Sequence, residues 1–141
     1  MFPKDNLESW KQIYHFIDGF SAYGATWSDW QNMVWLVVSN LENRGLSGFF
    51  RIGSGMHQII FSTSDHHMLE SEPRVTLEFH PKEQTVRVAY SCANLNFHEP
   101  LSEETVPIDL ATQTTINYLW RLWIETKLET QIPDALIAPR L

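Results

Sequence analysis

The sequence predicts an α+β fold: two N-terminal helices, a four-stranded antiparallel meander and a long C-terminal helix, packed as a two-layer sandwich. Three observations predict it. Two segments before Gly45 carry apolar residues at spacings of three and four. The stretch from Gly48 to Tyr90 reads as two β-hairpins in succession. A third helical stripe, Ile116, Leu119, Trp120, Trp123 and Leu128, follows near the C-terminal end.

The first helix opens at Asp5, with Glu8 three residues on in a capping-box pattern. Trp10, Ile13, Tyr14, Ile17 and Phe20 form its buried stripe, and Gly19 and Gly24 bracket its end. Ser28 is placed to cap the second helix, with Gln31 as its reciprocal partner. Trp30, Met33, Val34, Val37, Val38 and Leu41 give this helix a wide apolar face, which Trp35 and Leu36 extend. Asn43-Arg44-Gly45 ends it, glycine taking the left-handed conformation after the last turn. Leu46-Ser47 leads directly into the first strand.

The first hairpin runs from Gly48 to Ile52, turns at Gly53-Ser54-Gly55 and returns from His57 to Thr63. This register sets Phe50 opposite Ile59 on one face and Phe49 opposite Ile60 on the other, so both faces are apolar. Such a strand is covered on both sides or leaves a patch for a partner. The linker Ser64 to Pro73 is polar, long for a hairpin connection, and holds the adjacent pair His66 and His67.

The second hairpin is the clearest element. Val75, Leu77 and Phe79 alternate with Arg74, Thr76, Glu78 and His80, the period of a half-buried strand. Pro81-Lys82-Glu83-Gln84 makes the turn, and Val86, Val88 and Tyr90 alternate on the return. A four-residue loop pairs Phe79 with Val86, Leu77 with Val88, Val75 with Tyr90, and Glu78 with Arg87 on the other face. A slip by one residue would invert the faces. Beyond Tyr90 the strand can continue to Cys92 or Asn94 before an irregular stretch. Thr105 to Ile108 reads as a short extra strand that Pro107 confines to an edge. Asp109 or Thr112 caps the last helix, which runs to about Glu129. Its Thr114 and Thr115 are poor helix formers, so packing must hold it. Ile132 to Leu141 is an apolar-tinged tail with two prolines.

A length of 141 residues fits a single domain, 1–141, with 132–141 as a C-terminal tail. The net charge of −7 argues against nucleic acid, whose phosphates need clustered Lys and Arg. A single cysteine, Cys92, excludes an internal disulfide and fits a reducing cytoplasm. No apolar run reaches the roughly 20 residues that span a bilayer, and the first residues carry no apolar signal-peptide core.

No residue pattern specifies a reaction, so the reading leans away from an enzyme. Metal-ligand spacings are absent, and His57, His66, His67, His80 and His98 could meet only in three dimensions. Cys92 follows a core strand among small neighbours, the setting of an inert thiol. Gly53-Ser54-Gly55 precedes a strand and offers no helix N-terminus to a phosphate. Catalytic residues, metal and cofactors are therefore expected to be none. The scattered Asp and Glu read as a solvated acidic surface, or as an acidic rim if they share a face.

With six Trp, aromatic residues are in surplus, and most fall on buried stripes. Phe49, Ile60, Trp27 and Trp35 fall outside them and are the candidates for a partner-facing patch. The expectation is a cytoplasmic, non-catalytic protein-interaction module that binds a protein partner or itself as a homodimer, without nucleic acid or membrane. The alternative is a small-molecule or metal-binding domain with a pocket between helices and sheet.

Overall fold

The alternating segment Arg74–His80 forms the middle strand of the sheet, and the other elements assemble around it in a computed structural model. The structure describes residues 2–19, 25–55, 58–63, 73–91, 100–126 and 136. The element order is α1 (Phe2–Gly19), α2 (Ala25–Asn43), a 3-10 turn (Leu46–Gly48), β1 (Arg51–Gly55), β2 (Gln58–Ser62), β3 (Arg74–His80), β4 (Thr85–Ser91), β5 (Ser102–Pro107) and α3 (Ile108–Thr126). The strands form one antiparallel meander in the order β1-β2-β3-β4-β5. The fold is α+β, with five strands where four are expected from the sequence. The segment around Pro107 is a full edge strand, since β5 pairs with β4 from Ser102 to Pro107.

The second hairpin has the register its alternation dictates: Phe79 faces Val86, Leu77 faces Val88, Val75 faces Tyr90 and Glu78 faces Arg87. All six apolar residues are buried. The presence of β5 changes the ion pairing. Arg87 bonds Glu103 of β5, while Glu78 meets His80 and the amide of Gln58. In the turn, Gln84 takes φ 56° and donates its backbone N–H to the Pro81 carbonyl.

The first hairpin is shifted. Arg51 pairs with Ser62, Ile52 with Phe61 and Gly55 with Gln58, so Gly53-Ser54-Gly55 lies within β1 and the turn falls at 56–57, outside the described residues. Phe49 and Phe50 both donate to the Leu46 carbonyl, so the 3-10 turn delays the strand to Arg51. The shift is four residues, an even number, so Phe61 and Ile59 keep the core face and Ile60 the other.

The helices start earlier than the cap signals suggest. α1 begins at Phe2, which places Asp5 inside it; Pro3 suits a first turn because no intrahelical bond is lost there. α2 begins at Ala25, leaving Ser28 exposed within the helix. Gln31 instead donates to the Ile17 carbonyl, one of the unpaired acceptors at the end of α1. Trp30, Met33, Val34, Val37, Val38 and Leu41 are buried, but Trp35 and Leu36 are 37% and 48% exposed: they lie out of phase with the stripe. Gly45 takes the left-handed conformation at φ 83° after α2. α3 begins at Ile108, ahead of Asp109 and Thr112, and its Thr114 and Thr115 are buried, as a helix held by packing requires. Leu128, Glu129 and Phe20 lie outside the described residues, and of the tail only Leu136 is within them; it is fully buried in the core.

The core joins Trp10, Ile13 and Ile17 of α1, the α2 stripe, and Leu119, Leu122 and Trp123 of α3 to one face of the sheet. α1 also closes the outer edge of β1. Trp10 Nε1 donates to the Phe50 carbonyl at 2.8 Å, and the Ile52 N–H donates to Ser9 Oγ at 3.1 Å. Side chains of a helix thus take the backbone groups that a sixth strand would take.

Candidate interaction surface

The four candidate residues occupy different environments. Phe49 is half-buried, its ring edge-on to Trp123 of α3 at 5.7 Å. Ile60 is 5% exposed on the face opposite the main core, between Gly53 and Thr76 in the register. Trp27 is half-buried and packs edge-on against Trp30 at 6.0 Å. Trp35 alone is exposed, and the surface around it is the most fully built of the four.

That surface lies where α1 and α2 run side by side. The Trp35 ring stacks on Tyr14 of α1 at 4.5 Å. Its indole N–H donates to Asp18 Oδ1 at 3.2 Å, and the Tyr14 hydroxyl donates to Glu42 Oε1 at 2.6 Å. Two aromatic rings are therefore fixed between two carboxylates. Leu36 is exposed beside Trp35, and the outward residues of α2 include Asn32, Glu42 and Asn43. α2 contains no Lys or Arg. Leu36 also rims a groove of about 580 Å³ between α2 and the start of α3, where the Asn40 amide donates to Thr112 Oγ1. A second cleft, about 260 Å³, lies between α1 and β1 and is lined by Ser9, Gln12, Phe16 and Ser54 among others.

A polar cluster joins α3 to the sheet at β4 and β5. Arg121 stacks over the Tyr90 ring at 4.3 Å, donates to Ser102 Oγ at 3.0 Å and pairs with Glu125. The Tyr90 hydroxyl donates to Glu125. Arg121 and Glu125 are four apart on α3, but sequence separations of 19 to 35 residues put their contacts with Ser102 and Tyr90 out of reach of any local pattern.

The phenols report on these settings. Burial raises the pKa of Tyr14 above the ordinary 10.0, and the hydrogen bond to Glu42 and its charge raise it further. Burial also raises Tyr118, aided by Glu104 and opposed by Ser102 and Arg121. A raised acid is protonated in the folded state at a pH where it has ionised in the unfolded chain. Its contribution to stability is complete below pH 10 and is lost as pH rises beyond it. Absorbance titration at 295 nm should show Tyr14 and Tyr118 ionising late, and Tyr14→Phe should remove one late transition. Ordinary titration of all four tyrosines in the folded chain would contradict this.

Among the described residues no three His, Cys, Asp or Glu converge on a metal-sized site. His80 takes Glu78 at 3.4 Å, while His57, His66, His67, His98 and Cys92 lie outside the described residues. Among the described residues, no helix is long and apolar enough to cross a membrane. No protein-family model, curated protein or solved structure matches the chain.

Proposed function

We propose that the chain is a cytoplasmic, non-catalytic protein-interaction module whose α1–α2 face binds a protein partner or a second copy of itself. The observation that carries this reading is Trp35, exposed yet held by Tyr14 and Asp18. A tryptophan whose rotamer is already fixed gives up little freedom when a partner covers it, so more of its apolar area counts as affinity. Beside it lie Leu36 and a helix face without Lys or Arg, which matches the composition of interface centres: aromatic residues enriched, lysine depleted. The net charge of −7 favours a basic partner surface.

The test pairs binding with stability. Trp35→Ala with Leu36→Ala removes two partly exposed side chains and the Trp35 contacts with Tyr14 and Asp18, so the cost in folding stability should stay within about 1–3 kcal/mol and leave the fold intact. Light scattering across a concentration series reads self-association, and co-purification reads a stoichiometric protein partner. The double variant should lose whichever complex the native chain forms. A native chain that stays monomeric and retains no partner overturns the proposal, as does a complex indifferent to the double variant.

A further inference from the structure

The two edges of the sheet are treated differently. The β1 edge is occupied by Ser9 and Trp10, whereas among the described residues no further strand pairs with β5, and Glu103, Glu104 and Thr105 are all exposed. The direction of its backbone groups follows from the ladder. Ile108 donates its N–H to the Gln84 carbonyl, continuing the register in which Val86 faces Val106 and Val88 faces Glu104. Hydrogen-bonded pairs alternate in an antiparallel ladder. Ser102, Glu104 and Val106 therefore bond inward to β4, and Glu103, Thr105 and Pro107 turn their backbone groups outward. Proline sits on the outward side, where the missing N–H costs no ladder bond.

We infer that the β5 edge is a strand-addition site for an extended segment of a partner protein carrying adjacent basic residues. The site offers N–H donors and carbonyl acceptors at Glu103 and Thr105, the main-chain set that strand addition uses. Charge selects the occupant. Glu103 and Glu104 present carboxylates to opposite faces of the edge, and successive side chains of an added strand also alternate between faces. Two consecutive Lys or Arg would therefore meet one carboxylate each. Arg87 already holds Oε1 of Glu103, so that carboxylate meets an incoming cation through its second oxygen, and Arg121 is paired with Glu125. A second β5 is the poorer occupant: paired about Thr105, it would set the two Glu104 side chains diagonally across one face. On α3, Leu110, Thr114, Asn117 and Arg121 recur along one side, and Arg121 reaches Ser102 of the edge strand. Leu110, on that side, is 54% exposed.

This site is independent of the Trp35 face, and its test keeps the two apart. The probe is the peptide acetyl-Thr-Val-Thr-Lys-Lys-Val-Thr-amide added to the full, isotope-labelled chain. The Glu103 and Thr105 amides should exchange rapidly in the free chain and become protected with saturating peptide, while Glu104 and Val106 are protected throughout. Replacing Lys-Lys by Glu-Glu, or methylating alternate peptide nitrogens, should weaken binding about tenfold. Thr105→Pro deletes an outward donor without touching the β4 ladder and should do the same, with Thr105→Ala as its control. The methylated peptide supplies the same comparison on the native chain if Thr105→Pro fails to fold. Trp35→Ala with Leu36→Ala should leave peptide binding unchanged. No saturation by millimolar peptide, equal binding of the methylated peptide or of the Glu-Glu peptide, or protection at other amides overturns the inference.

Discussion

Trp10→Ala is expected to cost about 4 kcal/mol of folding free energy, read as a fall in the urea midpoint. Trp10 is 1% exposed, and its ring centroid lies 6.0 Å from that of Phe61. Removing it opens a cavity and strands the Phe50 carbonyl, which accepts the indole N–H at 2.8 Å. Both losses act at the same point, because Trp10 and Ser9 together seat α1 on the edge of β1. Trp10→Phe separates them: it retains much of the apolar volume but leaves the carbonyl unpaired, at about 1–3 kcal/mol. A cost below about 1 kcal/mol for the alanine variant would mean that α1 is not needed to complete the sheet.

Leu77→Ala is expected to cost about 3 kcal/mol, whereas Glu78→Ala, its neighbour, should cost less than about 1 kcal/mol. Leu77 is fully buried at the centre of the sheet, between Ile59 and Val88. Glu78 points to the other face, with 40% of its side chain exposed, and meets only His80 and Gln58 among its polar partners described above. The contrast tests the register directly. A shift of one residue exchanges the two positions, so equal costs, or a larger cost at Glu78, would show that the faces are reversed.

What could be read in advance follows from how local each signal is. The β3–β4 hairpin is specified by short-range alternation and by a four-residue turn with Pro81, and its register follows from those alone. The α2 stripe is similarly self-contained, and its periodicity separates buried Trp30 from exposed Trp35 although the residue type is the same. β1 starts later than the pattern predicts because Gly53-Ser54-Gly55 has the composition of a turn, while the 3-10 turn at Leu46 delays the strand and residues about 40 positions earlier in α1 hold its edge. β5 carries Glu103 and Glu104 where a strand pattern looks for apolar residues, and only pairing with β4 makes it a strand. Of the candidate surface, Trp35 was legible as a residue out of phase with its helix. Tyr14, Asp18 and Glu42, which hold it in place, belong to the packing of α1 on α2. What covers Phe49 is carried by no local pattern: its ring meets Trp123, 74 positions along the chain.

The bonds by which α1 finishes the β1 edge also set an order of events during synthesis. Ser9 and Trp10 leave the ribosome first, but their acceptor and donor at Phe50 and Ile52 follow 40 and 43 residues later. At roughly 5–20 residues per second, α1 waits a few seconds for its partner strand. A helix gains most of its stability from packing, so α1 can dock on α2 first but completes its contacts only when the strand arrives. Docking of α1 then becomes the event that removes the β1 edge from the reach of other nascent chains. A chain slowed at that step, by Trp10→Ala above all, should aggregate during expression as well as lose stability once purified.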